Sequence, residues 1–120
     1  MREIKFRAWD GETMWEVREL EWAGGEVIHA YLGLHEVDAD KITLMQFTGL
    51  HDKNGKEIYE GDVVHWKPVG LGTVRFGASA AFVHDQEKLR GGTGINQLHR
   101  SYQQEYEIIG NIYENPELLK

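Results

Sequence analysis

Between residues 43 and 76 the chain is cut into short apolar runs by tight-turn chemistry, and this punctuation constrains the fold more than any other feature. Asp52-Lys53-Asn54-Gly55-Lys56 separates Met45-Gln46-Phe47-Thr48-Gly49-Leu50 from Glu57-Ile58-Tyr59. Asn54-Gly55 is the pair that supplies the positive φ angles of a type I′ hairpin turn. Glu60-Gly61-Asp62 reads as a second tight turn, feeding Val63-Val64-His65-Trp66. Gly70-Leu71-Gly72 reads as a third, feeding Thr73-Val74-Arg75-Phe76. After Gly77 comes one more strand-like run, Ala80-Ala81-Phe82-Val83. Short β-branched and aromatic runs spaced by glycine turns are the pattern of a small barrel or sandwich.

The flanking segments extend the same reading. Ile4, Phe6 and Ala8 alternate with Lys5, Arg7 and Trp9, the period of a half-buried strand. Asp10-Gly11 turns the chain into a second strand over 14–22, which holds Met14, Trp15, Val17, Leu20 and Trp22. Further strands are expected over 27–34 and 42–47. Asp85 to Arg90 reads as a short helix, broken by Gly91-Gly92-Thr93-Gly94. Ile95, Leu98 and Tyr102 fall at helical spacing, so 95–102 is either a second short helix or a mobile loop. Tyr106 to Tyr113 returns to strand pattern. Asn115-Pro116-Glu117 looks like a helix start, with Asn as N-cap and Pro at the first helical position.

The expected fold is therefore mainly β: an N-terminal β meander plus an SH3-like small barrel, with short helical segments. The barrel is preferred to a sandwich because Gly61-Asp62-Val63-Val64 and Gly72-Thr73-Val74-Arg75-Phe76 resemble the strings of SH3-like barrels. A chain of 120 residues is one domain's worth. Residues 1–50 would supply the N-terminal strands. Residues 51–120 would form the barrel-like part, with a variable loop at 85–104 and a C-terminal helical turn.

Charge narrows the function classes. The net charge is −7, from 13 Lys and Arg against 20 Asp and Glu. The acidic excess sits in the first half, and a general nucleic-acid binder needs clustered cations instead. With no cysteine, thiolate zinc sites, disulfides and thiol catalysis are excluded. The N-terminus lacks the apolar core of a signal peptide, and no apolar run approaches the ~20 residues of a membrane helix. The expected location is the cytoplasm.

Candidate chemistry is sparse. Asp52-Lys53-Asn54-Gly55 does not place its glycine or its acids at calcium-loop positions, so the hairpin reading stands. Gly91-Gly92-Thr93-Gly94 lacks the Lys and hydroxyl of a phosphate loop. The six histidines (His29, His35, His51, His65, His84 and His99) form no metal-ligand spacing, although sheet geometry could bring His65 and His84 together. Ser79 and Ser101 have no strained-elbow context. No catalytic residue, metal or cofactor is expected, and the chain is read as not an enzyme. Two features suggest a partner. Four Trp, five Tyr and four Phe favour either a core or an interface. Lys88, Arg90, His99, Arg100 and Tyr102 lie in the least acidic stretch and form a candidate partner-binding group.

Three strings carry a family resemblance: Lys5 to Asp10, Met45 to Val64, and Tyr106 to Leu119. In this order the chain resembles the YopX protein family of phages and prophages. Residues 16–40 and 66–104 fall outside the resemblance. It implies a small β-rich protein encoded by a temperate phage or prophage and acting in the bacterial host cell. It carries no catalytic residue and no cofactor onto this chain. The expected function is a non-enzymatic accessory protein that binds another macromolecule, protein rather than nucleic acid, or that self-assembles as a homo-oligomer. The alternative is a nucleic-acid-binding SH3-like barrel module.

Overall fold

The computed structural model describes residues 4–77, 82–86 and 94–119. The fold is mainly β, with two antiparallel sheets and only short 3₁₀ turns. Four strands form an N-terminal meander: β1 (Phe6–Trp9), β2 (Met14–Ala23), β3 (Glu26–Leu32) and β4 (His35–Asp38). Two more, β5 (Thr43–His51) and β6 (Glu57–Tyr59), complete a six-stranded sheet of order β4-β3-β2-β1-β5-β6. The second sheet has five strands: β7 (Asp62–Trp66), β8 (Gly70–Phe76), β9 (Phe82–Asp85), β10 (Ile95–Gln97) and β11 (Tyr106–Asn111). Its order is β10-β9-β8-β7-β11, a meander whose last strand returns beside the first. The sheets divide at the Glu60-Gly61 turn, because β6 pairs with β5.

One apolar cluster draws on both sheets: Leu50, Ile58, Val64, Val74, Phe82, Leu98 and Tyr106, with Trp66 and Ile108 packed against it. The β5–β6 hairpin thus closes over the five-stranded sheet and gives this half its barrel-like character. Gly72 shows how tight the packing is. A Cβ there would lie 2.5 Å from the His84 ring, so only glycine lets β8 pass over this buried histidine.

Several local expectations need correction. The hairpin is not a two-residue type I′ turn. Gly55 N–H donates to the Asp52 carbonyl at 3.0 Å, so Lys53 and Asn54 are the central residues and Gly55 follows with φ +82°. This is a three-residue loop whose left-handed glycine closes it. Gly70-Leu71-Gly72 is not a turn but the start of β8; the turn is Trp66–Val69, where Val69 N–H donates to the Trp66 carbonyl. Ile95 to Gln97 is a strand paired with β9 rather than a helix, and Arg100–Glu105 is a 3₁₀ turn. Asp85 ends β9 instead of starting a helix, because its backbone pairs with Thr73 and Ile95. The remainder of the helix expected to Arg90, residues 80–81 and residues 91–93 lie outside the described residues. The final 3₁₀ turn, Pro116–Leu119, starts where expected, with the Asn115 carbonyl accepting from Leu118 N–H at 3.0 Å, but the Asn115 side chain turns back, its Oδ1 accepting from Asn111 N–H at 3.1 Å. The strand expected over 27–34 ends at Leu32, and a separate edge strand, β4, follows.

Candidate interaction surface

The buried polar groups serve the junction between the sheets. Asp52 is 2% exposed. Its Oδ1 accepts from the N–H groups of Asn54 and Lys56, both at 2.9 Å, and its Oδ2 accepts from Ile108 N–H at 3.0 Å. The carboxylate that a calcium loop would offer to a cation is therefore spent on the hairpin and on β11. Asp62 is also buried. Its Oδ1 accepts from Arg7 at 2.8 Å and its Oδ2 from Tyr59 N–H at 2.8 Å. Burial pushes its pKa above the usual carboxylate value, against the opposing pull of Arg7. The Arg7 guanidinium lies 4.8 Å from the Tyr59 ring centroid and also donates to the Glu60 carbonyl. Gly61, with φ +88°, donates to the Val74 carbonyl and accepts from Ile112 N–H. These contacts fasten β1, the β6–β7 turn and β11 together.

Of the candidate partner-binding group, Lys88 and Arg90 lie outside the described residues. His99, Arg100 and Tyr102 come together around the 3₁₀ turn. His99 and Tyr102 belong to an aromatic cluster: the Tyr102 ring lies 5.3 Å from Trp66 and 5.8 Å from His99. Trp66 in turn stands edge-on to Tyr106, whose hydroxyl accepts from His99 N–H at 3.0 Å. Among the described residues, four other cations face carboxylates, in the pairs Lys5–Glu57, Arg7–Asp62, Lys53–Glu107 and Arg75–Asp85. His65 and His84 are not paired across strands, but His65 lies near enough for its charge to add to burial in lowering the His84 pKa. They sit on β7 and β9, which β8 separates. His84 Nε2 instead bonds the Val64 carbonyl at 2.8 Å, while its buried Nδ1 has no partner.

The surface that sequence reasoning missed is the outer face of the six-stranded sheet. Cross-strand register puts Ala8, Trp15 and Leu44 in one row, Val17 opposite Leu32, and Leu20, Ala30 and Val37 in another. These residues and Ile42 form a second apolar cluster, drawn wholly from β1–β5 and the turn before β5. Ala8, Ala30 and Leu32 are buried beneath the larger side chains packed against them, and the register between β2 and β3 is broken by one bulge at Arg18 in β2 and one at Ile28 in β3. The larger side chains around them are only half-buried, while Ile4, Trp22 and Ile28 are exposed. Two shallow recesses, each about 360 Å³, open on this face. One is lined by Phe6, Val17, Leu20 and Trp22, the other by Trp15, Leu32 and Val37. Asp10 borders the second recess; its carboxylate accepts from the backbone of Thr13 and Glu12 and from the Trp15 indole, which holds its pKa below the usual value. Alternating residues in β2–β4 carried the signal, but the bulges in β2 and β3 hid which ones share a face. The opposite face is acidic there, with Glu16, Glu19, Glu21, Glu36 and Asp38.

This arrangement defines a class: a small two-sheet β protein with a polar junction buried between its sheets and an apolar outer face. Residues 5–120 match the family described as YopX protein, and the chain belongs to that family. The EF1440 protein of Enterococcus faecalis, known from a crystal structure, is 26% identical, with a TM-score of 0.69 and full coverage of both chains (100% each). The yopX protein of Bacillus subtilis is 23% identical and superposes with a TM-score of 0.62, over 97% of this chain and 95% of that one. No curated protein matches the sequence. Among the described residues no helix is long and apolar enough to cross a membrane.

Proposed function

We propose that this YopX-family chain is a non-enzymatic accessory protein of a phage or prophage, and that it acts in the host cytoplasm by binding another protein through the outer face of its six-stranded sheet. The observation that carries this reading is the apolar face itself. A sheet with one apolar face gains stability by burying it against another layer. Here the cluster contains only the sheet's own residues, and Trp22 remains 58% exposed. An apolar patch rimmed by charged residues is the mark of a protein interface. Each recess sets apolar side chains beside polar or charged ones, Lys5, Arg18 and Glu19 in one and Asp10, His35 and Lys41 in the other, a mixture that suits an apolar interface centre with a polar rim. A second copy of this chain is the simplest partner, and a homo-oligomer would cover the face in every protomer. The net charge of −7, with Lys5, Arg7, Lys53 and Arg75 each paired with a carboxylate, weighs against the nucleic-acid reading.

The test is a tagged pull-down from host lysate, with and without nuclease, using the native chain and a Trp22→Ser/Ile28→Ser variant. Mass measurement across concentration accompanies it. Capture, or self-association, that survives nuclease and is lost in the variant is the expected result. Capture that vanishes with nuclease would instead establish the nucleic-acid alternative. Equal capture and equal mass for both chains would remove this face from the function.

A further inference from the structure

The acidic side of the same sheet carries a cluster of different chemistry. His29 on β3 stands between Glu21 on β2 and residues Glu36 and Asp38 on β4. Its Nδ1 lies 2.7 Å from Glu21 Oε1 and 3.2 Å from Glu36 Oε1. Its Nε2 lies 3.1 Å from Asp38 Oδ1. The Glu21, His29 and Glu36 donor atoms all fall within 4.8 Å of one another. We propose that Glu21, His29 and Glu36 form a site for one divalent first-row transition cation such as Zn²⁺, with Asp38 as the positioning residue.

One imidazole nitrogen and two carboxylate oxygens suit zinc and its neighbours, and they do not suit a thiophilic ion. Metal–ligand bonds of ~2.1 Å put tetrahedral donors about 3.4 Å apart, so the present atoms need only small side-chain movements. Glu21 and Glu36 are half exposed, which leaves room for them, although Glu36 also accepts from the Tyr31 hydroxyl. The remaining coordination position would face water. What separates this cluster from an ordinary acidic patch is the orientation of the ring. Nδ1 faces the two glutamates and now shares a proton with Glu21, which a metal would displace, while Asp38 stands 3.1 Å from Nε2, placed to hold the proton that remains on the ring. A carboxylate on the far nitrogen is the arrangement that fixes the tautomer of a metal-bound histidine. The three ligands lie on three adjacent strands whose register the backbone already sets, so little ordering is required. A bound cation would cross-link β2, β3 and the edge strand β4.

The same nitrogens can instead bind protons. The hydrogen bond to Glu21, foremost, raises the His29 pKa; desolvation, next in size, opposes it, and the charges of Glu36, Glu21 and Asp38 add to the rise. Tyr31 and Glu19 are the other titratable groups bordering the cluster. Metal and proton therefore compete, and affinity falls on acidification.

The experiment is calorimetric titration of the full chain with zinc chloride at neutral pH, with magnesium chloride as control. The expected result is one zinc bound per chain and no magnesium uptake. Asp38→Asn weakens zinc by about 10–100-fold, and His29→Gln weakens it further. Circular dichroism of each variant checks that the exposed substitutions leave the fold intact. Either of two results overturns the proposal: no zinc uptake by the native chain, or undiminished uptake by His29→Gln, which would place the metal on another histidine.

Discussion

Asp52→Asn separates a hairpin residue from a junction residue. A carboxylate that only closed the Asp52–Lys56 loop could be replaced by a carboxamide at little cost, because Oδ1 still accepts from Asn54 and Lys56 N–H. The third bond changes the outcome. Oδ2 accepts from Ile108 N–H on β11, and the amide that replaces it is a donor facing a donor. Hydrogen bonds to a charged group contribute roughly 1.5–3 kcal/mol each, and an orphaned buried N–H costs roughly 1–3 kcal/mol. With the two hairpin bonds weakened and the β11 bond lost, the variant should lose about 3 kcal/mol. For a chain of this size that lowers Tm by roughly 10–15 °C. Urea denaturation gives the stability, and amide exchange localises it. Ile108 should lose protection in Asp52→Asn by at least about tenfold more than Asn54 and Lys56 do. A variant within ~0.5 kcal/mol of the native chain, the scatter of neutral surface changes, would refute the bridging role. So would equal loss of protection at all three amides.

Three further outcomes follow from the same contacts. Gly72→Ala should destabilise by about 1–3 kcal/mol through overlap with the His84 ring, and a double-mutant cycle with His84→Ala should return a coupling above ~0.5 kcal/mol. Arg7→Met leaves Asp62 buried without its cation and should cost about 3–5 kcal/mol. Burial already raises the Asp62 pKa, so the folded variant holds a proton that the unfolded chain releases above the ordinary value of 3.8. The deficit should therefore shrink on acidification, read by denaturation at several pH values. His84 has the opposite sign: burial, foremost, lowers its pKa from 6.5, so the unfolded chain binds a proton that the folded chain refuses. Stability from this group is complete above 6.5 and falls as pH drops below it, so the cost of His84→Asn should diminish between neutral and mildly acidic pH.

Much of the fold was legible because period-two alternation and glycine turns mark β1, β2, β5, β7 and β11. The failures share a cause. Strands β4 and β10 offer almost no apolar alternation: His35-Glu36-Val37-Asp38 has one apolar residue and Ile95-Asn96-Gln97 has one. Backbone pairing with β3 and β9 holds them, and a sequence does not display its pairing partners. Gly70-Leu71-Gly72 looked like a turn because the reason for Gly72 is a histidine twelve residues away. The outer face stayed hidden for a related reason. Glu19 faces Tyr31 and Leu20 faces Ala30 only after the bulge at Arg18 in β2 shifts the register, and a second bulge, at Ile28 in β3, shifts it back; nothing local announces a bulge.

The three strings that carry the family resemblance meet at one place. The first brings Arg7, and the second brings Asp52, Gly61 and Asp62. The third brings Ile108 and Ile112, which bond Asp52 and Gly61. Trp9 of the first string stacks on Tyr113 of the third, 6.2 Å between centroids. Strings with this placement specify how the two sheets are fastened, and they would be needed whatever the protein binds. The outer apolar face is built differently. Phe6, Ala8 and Ile4 at its inner edge lie in or beside the first string. Trp15, Val17, Leu20, Trp22, Ile28, Leu32 and Val37 come from the meander, which lies between the first two strings although the family match runs across it. The same is true of Glu21, His29 and Glu36 on the reverse side. If the meander is the part that recognises a partner, exchanging it between family members on a common frame should move partner choice with it. Residues 12–41 grafted onto the EF1440 frame, keeping that protein's own junction residues, would test this. Transfer of the pull-down profile to the chimaera supports a frame-and-face division of labour, and a profile that stays with the frame assigns recognition to the five-stranded sheet.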